Sequence, residues 1–347
     1  MTDQAAVRSS LALKMRALER AQPLSAYLEL TYACNWRCVF CYNPRHHDLR
    51  RLSVEEWTRV LDGLRSLGTL NVTLTGGEPL SHPRFLEIAR AVRERAFTLR
   101  LLTNGTLVTE RLADDVASLR PLGVEMSLHG ARAETHERTT GAPGSFEELL
   151  AAVGRLKRRG VPLVLKTVLT RLNETELDEM IALVAGLGVP YRVDSTLTPR
   201  DDGDRGPLAF RASEEAIERL YRRLAAIGQL PEAERWTGGT NCGLGRVTVA
   251  VDPEGNVYPC MQWRHSALGN IRSTPLAELW RGSPGRGAAA GGAGAAHDRL
   301  VGAGPALARF PFCPALAQQR SGDPLAVDGQ HRLEAALAEK VRAAGQS

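Results

Sequence analysis

The chain has 347 residues, of which 43% are hydrophobic and 24% charged, so it is long enough for one large domain and one smaller domain. Its formal net charge is +5, but the basic residues are spread along helix-like segments such as residues 155–159, which argues against nucleic-acid binding. No apolar run reaches membrane-spanning length and no secretory signal opens the chain, so the sequence predicts no membrane partner and a cytoplasmic location.

Residues 1–23 are polar and basic and form a predicted N-terminal extension, too short to build a domain that binds a peptide leader. Residues 24–198 alternate short apolar runs with helix-period segments, a rhythm typical of parallel strands joined by crossover helices. The predicted strands are residues 26–31, 71–75, 98–103, 124–128, 163–170 and 191–195. The predicted helices are residues 53–67, 83–95, 109–119, 145–159 and 173–187, with capping boxes at Ser53 and Ser145. The predicted fold class is α/β, a partial (β/α)6 TIM-like barrel followed by a small C-terminal α+β domain.

Three cysteines follow the first predicted strand in a C-x3-C-x2-C run, namely Cys34, Cys38 and Cys41. Three thiolates at this spacing suffice for three irons of a four-iron cluster and leave the fourth iron open for a small molecule. A zinc site is the alternative, but zinc normally takes four ligands in two paired knuckles, and no second knuckle lies nearby in the sequence. The spacing therefore favours an iron–sulfur cluster.

The cysteine run, with Phe40 before its last cysteine, resembles the signature of the radical S-adenosylmethionine (SAM) superfamily. Gly76, Gly77, Glu78 and Pro79, after the second predicted strand, resemble the second hallmark of that family. The resemblance implies a [4Fe-4S] cluster that donates an electron to SAM, and a 5′-deoxyadenosyl radical that abstracts a substrate hydrogen. It also implies that the two glycines let backbone approach SAM and that Glu78 accepts from the methionine ammonium. A reductant such as flavodoxin or ferredoxin is the implied electron donor.

Four further residues near strand ends are candidate SAM contacts by the same resemblance. Ser127 is similar in position to a ribose or carboxylate contact of the family, and Lys166 and Thr170 are similar candidates. The alternatives are that Ser127 is an ordinary strand residue and that Lys166 is solvated. Asn104 is the fourth candidate, and its alternative is a turn-forming role, because Asn-Gly is a strong turn dipeptide.

Two residues are candidates for catalysis. His129, at the end of the fourth predicted strand, is a substrate contact or a polar strand-end residue, and Asp194 is placed to orient substrate or exchange a proton. Residues 199–235 begin with a turn-rich, charged stretch and form a predicted bridging segment. Asp201 and Asp202 in that stretch are interpreted as solvated loop carboxylates.

Residues 236–347 form the predicted second domain, with a β-hairpin over residues 247–258. It holds Cys242, Cys260 and Cys313, and the order of its motifs resembles the SPASM and twitch extensions of radical SAM enzymes. Those extensions bind one or two auxiliary iron–sulfur clusters. A full SPASM domain needs about seven cysteines, so three cysteines exclude two all-cysteine clusters and leave one as the upper limit.

Such a cluster still needs a fourth ligand, an open iron or an exogenous thiolate. His331 and Asp323 are the candidate fourth ligands. Zinc held by three cysteines and a histidine is one alternative, and a degenerate domain that only folds over the barrel is another.

Residues 282–296 are rich in glycine and alanine and are predicted to be a flexible tether, because such a composition buries little surface. The chain is predicted to close with an amphipathic helix over residues 332–343.

The predicted activity is that of a radical SAM peptide maturase. Residues 127–131, 134–138 and 141–146 resemble the peptide-modifying subgroup of the family, which implies a peptide or protein substrate. The reaction would be a crosslink, an epimerisation or a side-chain oxidation. The alternatives are cofactor or natural-product biosynthesis, such as the oxidation of a porphyrin side chain, and a non-catalytic iron–sulfur sensor.

Overall fold

The computed structural model describes residues 2–43, 45–231 and 242–345. Nine strands form one sheet in this part of the chain. The strands are β1 (Ser25–Glu29), β2 (Asn71–Thr75), β3 (Thr98–Thr103), β4 (Gly123–Ser127), β5 (Leu163–Val168), β6 (Tyr191–Asp194), β7 (Thr248–Val251), β8 (Asn256–Tyr258) and β9 (Gly269–Asn270).

Thirteen α-helices are described. They are α1 (Thr2–Arg20), α2 (Val54–Ser66), α3 (Phe85–Glu94), α4 (Glu110–Ser118), α5 (Ala133–Thr140), α6 (Ser145–Arg158), α7 (Leu177–Leu187), α8 (Glu214–Ala226), α9 (Leu276–Gly282), α10 (Pro284–Ala303), α11 (Pro305–Arg309), α12 (Pro314–Ser321) and α13 (Gly329–Ala344). Within the described ranges, no helix combines the length and the apolar character needed to cross a membrane.

The sheet order is β6-β5-β4-β3-β2-β1-β7-β8-β9, and neighbouring strands from β6 to β7 pair in parallel. This confirms the α/β class and the partial barrel, since the sheet does not close. The C-terminal hairpin extends that sheet, because β7 pairs with β1 in the register Ser25 to Thr248. Parallel strands direct their carboxyl ends to one edge, so the loops after β1 to β6 meet there.

The main core lies between the sheet and its outer helices, with Leu28, Leu74 and Trp57 fully buried. A second core joins α8 to α11, α12 and α13 through residues such as Leu220 and Phe310. The final helix α13 begins earlier than predicted, because Asp328 caps it by accepting a hydrogen bond from the His331 N–H.

The capping box at Ser53 is confirmed, since its side chain and that of Glu56 each accept a backbone N–H of the other. The one predicted at Ser145 is wrong. Gly144, in the left-handed region at φ 76°, caps α6, and the buried Ser145 hydroxyl instead lies 3.1 Å from the Thr140 hydroxyl.

The flexible tether predicted for residues 282–296 is wrong, because most of this segment is the helix α10. Ala289, Ala293, Ala296 and Leu300 are all buried. Their spacing of four, three and four residues places them on one helix face. A stripe of small residues lets the helix approach its neighbours closely, which compensates for the small area that each alanine buries.

The proposed domain limits remain predictions. Residues 232–235, at the end of the bridging segment, and residues 236–241, at the start of the second domain, lie outside the described residues.

Candidate active site

The loop that carries the first three cysteines is held on two sides by backbone hydrogen bonds. After β2, the Gly77 N–H donates to the Thr31 carbonyl (2.7 Å) and the Glu78 N–H donates to the Ala33 carbonyl (2.8 Å). The other side is bound by the C-terminal end of α5, a helix that the sequence analysis missed. There the Thr140 carbonyl accepts from the Arg37 N–H at 2.7 Å. Helix ends leave such carbonyls unpaired, so α5 supplies ready acceptors for the loop.

Gly76 and Gly77 make the first of these contacts possible. A Cβ on Gly77 would lie 2.4 Å from the Ala33 carbonyl oxygen, and one on Gly76 would lie 2.4 Å from the Thr31 carbonyl oxygen. Gly76 also has a φ of 140°, which favours glycine. Both glycines line the cavity described next, so close packing against the cysteine loop is added to their predicted role beside SAM.

A cavity of about 900 Å³ opens at the carboxyl ends of the strands. Cys34, Cys38 and Cys41, here called the first thiol set, all line it. Burial raises the pKa of these thiols, that of Cys34 to about 11. A bound metal centre would reverse that preference, since it binds thiolates.

Cys242, Cys260 and Cys313, here called the second thiol set, come together from three separate segments. They pack against a small buried cluster that contains Leu244, Trp263, Ala289, Ala293 and Ala315. Burial raises the pKa of Cys242 to about 12 and that of Cys313 to about 11. Cys313 lines the same cavity as the first thiol set, whereas Cys242 and Cys260 do not line it.

Neither set is arranged for a single metal ion. Among the described residues, no three Cys, His, Asp or Glu side chains are placed to hold one. A tetrahedral zinc would need its sulfurs about 3.8 Å apart, given zinc–sulfur bonds of about 2.3 Å. Three thiols are the kind of donor set that an iron–sulfur cluster takes.

The comparison with known proteins shows the family of the chain. The radical SAM superfamily pattern matches residues 28–184, and the SPASM pattern, an iron–sulfur cluster-binding domain, matches residues 242–288. Similar proteins include the PqqA peptide cyclase of Rhizobium meliloti (strain 1021), 30% identical over 76% of this chain and 76% of that protein. The chain belongs to the radical SAM superfamily and carries a SPASM domain.

Two further relatives show the range of the family. The mycofactocin maturase MftC of Mycolicibacterium smegmatis is 31% identical, over 72% of this chain and 68% of that protein. The AdoMet-dependent heme synthase of Methanosarcina barkeri is 30% identical, over 77% of this chain and 84% of that protein.

Solved structures share the fold. Native anSMEcpe with bound AdoMet and Kp18Cys peptide aligns with a TM-score of 0.73 and 16% identity, over 93% of this chain and 98% of that one. Streptococcus suis SuiB bound to the precursor peptide SuiA aligns with a TM-score of 0.63 and 14% identity, over 77% of this chain and 66% of that one. At these identities the likeness concerns the fold alone.

Within this radical SAM chain, the predicted cofactor contacts divide into two groups. Those that line the cavity are Gly76, Gly77, Asn104, Ser127 and Lys166, whereas Phe40, Glu78, Pro79 and Thr170 do not line it. The Thr170 hydroxyl is buried and donates to the Asn173 side chain at 3.3 Å. Thr170 thus contributes to a turn, and its contact with SAM stays a prediction.

Glu78 is fully buried and bound to its own chain. Its carboxylate accepts from the Leu80 N–H (2.9 Å), the Thr103 hydroxyl (2.7 Å) and the Asn104 N–H (2.7 Å). Burial raises its pKa to about 7, against the effect of these donors. The carboxylate thus joins the loops after β2 and β3, and its contact with the methionine ammonium of SAM stays a prediction. Pro79 is buried at the start of the short 3-10 turn that follows.

Asn104 and Lys166 each have a partner at the edge of the cavity. The Asn104 amide donates to the Asn35 side chain at 2.7 Å and lies 4.0 Å from the Cys34 sulfur. The Lys166 ammonium is 2.6 Å from the Glu125 carboxylate, so it is neither free nor fully solvated.

A cluster of aromatic and histidine rings lies against the cysteine loop, and the sequence did not predict that these rings meet. The Phe40 and His129 rings are 4.9 Å apart, and the Trp36 and His136 rings are 5.3 Å apart. The His129 N–H donates to the His136 ring at 3.0 Å. Burial lowers the pKa of His129 to about 3, so its ring lines the cavity in the neutral form.

Asp194, the other catalytic candidate, lies at the exposed rim of the cavity and accepts from the Thr196 N–H at 2.7 Å. Asp201 differs from its predicted solvated state, because its side chain is only 16% exposed and faces Arg264. Burial raises its pKa to about 7.

The two candidate fourth ligands are placed differently. Asp323 is half-exposed and lies 3.5 Å from the Arg299 guanidinium. His331 lines the cavity between the Phe310 and Phe312 rings, and its buried Nε2 has no hydrogen-bond partner. His331 thus faces the cavity, and its role as a ligand stays a prediction.

Proposed function

We propose that this radical SAM enzyme modifies a ribosomally made peptide or protein. The observation that carries the proposal is a cavity lined by all three cysteines of the first thiol set and by Cys313 of the second. A space of about 900 Å³ exceeds what SAM alone would fill and leaves room for a substrate segment between them. The named relatives that act on peptides support this substrate class.

The first thiol set would hold the [4Fe-4S] cluster, with Gly76, Gly77 and Asn104 beside the SAM that binds it. When bound, the cluster and SAM supply a 5′-deoxyadenosyl radical that removes a hydrogen atom from the substrate. The rings of Trp36, Phe40 and His129 pack together beside this end of the cavity and would limit the access of water to it.

The second thiol set would hold one auxiliary iron–sulfur cluster, which supplies one-electron transfer when bound. Beside Cys313 the cavity wall combines the apolar side chains of Leu220, Phe310 and Phe312 with the charged side chains of Arg320, Asp328 and Glu334. The unpartnered Nε2 of His331 offers a further polar contact on this wall. Burial lowers the pKa of that ring to about 4, so the contact would be made by a neutral imidazole. This end of the cavity is where we place the substrate side chain.

The electron donor and the location belong to the same proposal. We assign a flavodoxin or ferredoxin as the reductant, because a low-potential one-electron carrier suits the first cluster. All six cysteines are free thiols, which favours a reducing compartment, the cytoplasm.

The test uses anaerobically reconstituted protein with SAM, a reductant and the short peptides encoded beside the gene. We expect a peptide to accelerate formation of 5′-deoxyadenosine and to change mass in the same reaction. Deuterium at the attacked carbon should appear in the 5′-deoxyadenosine. A protein that cleaves SAM equally with and without every such peptide would contradict the peptide proposal.

A second candidate is side-chain chemistry on a tetrapyrrole. The heme synthase from Methanosarcina barkeri aligns over a larger share of its own length than the two peptide-modifying relatives do. Incubation with an iron tetrapyrrole that carries propionate side chains, followed by mass spectrometry, separates the two candidates. Turnover of that compound would favour the tetrapyrrole function over the peptide function.

A further inference from the structure

A buried arginine lies where three separate parts of the chain meet. The Nη2 atom of Arg264 is 2.5 Å from Oε1 of Glu29, and its Nε atom is 3.7 Å from Oδ2 of Asp201. The guanidinium also lies over the Tyr258 ring at 4.8 Å. Glu29 ends β1, Asp201 belongs to the connection after β6, and Arg264 belongs to the SPASM domain. One cation therefore joins the barrel, the connection and the second domain.

Arg264 is linked to both thiol sets, to the first through Glu29 and Asp201 and to the second through its own loop. Tyr42, the residue after Cys41, donates its hydroxyl to Oε1 of Glu29 (3.1 Å), and its carbonyl accepts from the Asp201 N–H (2.9 Å). Arg264 lies in the loop between β8 and β9 that also contains Cys260. Arg264 thus follows a member of the second thiol set by four residues.

Burial of this ion pair carries a large desolvation free energy, so it is a poor source of stability between the two domains. The side chains of Arg264 and Glu29 are 5% and 1% exposed, and neither Oε2 of Glu29 nor Nη1 of Arg264 has a hydrogen-bond partner. A buried ion pair with incomplete hydrogen bonds contributes little net stability, because desolvation cancels much of the attraction. Its position beside the two cysteine loops suggests what it does instead.

We propose that Arg264 is a positioning residue, held by Glu29 and Asp201, that fixes the Cys41 loop against the Cys260 loop and raises the reduction potential of the auxiliary cluster. The inference rests on the auxiliary cluster that the proposed function places at the second thiol set. A buried positive charge favours the reduced cluster, because reduction adds a negative charge.

The test is an anaerobic redox titration of the full-length holoenzyme, followed by electron paramagnetic resonance. The auxiliary signal is assigned from the Cys34/Cys38/Cys41→Ala chain, in which it stands alone. We expect Arg264→Met to lower the midpoint potential of that signal, Glu29→Gln to raise it, and Arg264→Lys to stay near the wild type. The opposite shifts of the two charge-removing variants distinguish an electrostatic effect from damage to the fold.

Arg272→Met is the matched control. Arg272 joins the SPASM domain to α2 through Glu56 at 2.7 Å, with side chains 20% and 17% exposed, and should leave the potential unchanged. An equal shift in this control would overturn the proposal. If Arg264→Met does not retain iron, an unchanged potential in Glu29→Gln would overturn it as well. Absence of iron from the Cys34/Cys38/Cys41→Ala chain would also overturn it, while SAM cleavage by the wild type would leave the proposed function standing.

Discussion

Each thiol set consists of three cysteines, but the two sets are built in different ways. The first lies on one short loop, residues 34–41, and is fixed by backbone hydrogen bonds to the loop after β2 and to the end of α5. The second spans residues 242–313 and is assembled from three segments around small apolar side chains. A local site of the first kind can be identified from cysteine spacing, whereas the second depends on how distant segments pack.

Replacing the cysteines of one set at a time should separate the functions of the two sets. We expect these variants to show the largest changes in iron content and activity. Changing the first thiol set to alanine should remove about four irons per chain and abolish SAM cleavage. Changing the second set should also remove about four irons but leave the cleavage of SAM to 5′-deoxyadenosine measurable. Iron analysis, electron paramagnetic resonance and product quantification measure these outcomes. A second-set variant with wild-type iron content would show that the SPASM domain holds no cluster.

The backbone-built site should be sensitive to a single methyl group. Gly77→Ala places a Cβ 2.4 Å from the Ala33 carbonyl oxygen, so we expect a loss of about 1 to 3 kcal/mol in unfolding free energy and a loss of first-set iron. Gly186→Ala is the control, because nothing lies within 4 Å of its Cβ and it sits in the helix α7, where alanine is favoured. Urea denaturation and iron content provide the readout. Equal behaviour of the two variants would contradict the packing role of Gly77.

The strands of the barrel could be predicted because their apolar runs and intervening helices follow regular periods. Each of β1 to β6 overlaps its predicted range, and their order places the cysteine loop beside Gly76 and Gly77. The helix α5 was missed because its sequence, AETHERTT, lacks an apolar stripe. It is stabilised by buried polar contacts, such as the Thr135 hydroxyl with the Glu176 carboxylate at 2.5 Å.

Burial of charge was the other feature that sequence could not reveal. Asp201 lies in a charged, turn-rich stretch that is typical of an exposed loop, yet Arg264 from another domain covers it. Glu78 is a second example, since the three hydrogen-bond donors to its carboxylate come from its own turn and from the end of β3. Partners brought together by tertiary structure leave no local pattern in the chain.

The packing-built site should be sensitive to side-chain volume on α10. Ala293 is 1% exposed and packs in the cluster around the second thiol set, so Ala293→Leu should cost about 1 to 3 kcal/mol and reduce second-set iron. Ala295→Leu, on the exposed face of the same helix, should change neither quantity. Iron content and urea denaturation of the two variants measure this difference. If Ala293→Leu retains full iron, α10 does not shape the second thiol set.

The smallest expected effect is a pH dependence in the second region. Burial lowers the pKa of His331 from 6.5 to about 4. The unfolded chain therefore binds this proton more readily than the folded chain, so stability is complete above about pH 6.5 and falls as the pH drops towards 4. Between about pH 7.5 and about pH 5 this histidine should account for about 1 to 2 kcal/mol of lost unfolding free energy.

His331→Phe should remove that part of the pH dependence, because a phenyl ring can pack between Phe310 and Phe312 without binding a proton. Chemical denaturation at the two pH values measures it. Phe312→Leu is the matched variant, since it disturbs the same packing but keeps the imidazole, and should lower stability by a similar amount at both pH values relative to the wild type. If the slope with pH is the same in His331→Phe and the wild type, the imidazole is not held neutral by burial, and its proposed role as a neutral contact on the cavity wall is wrong.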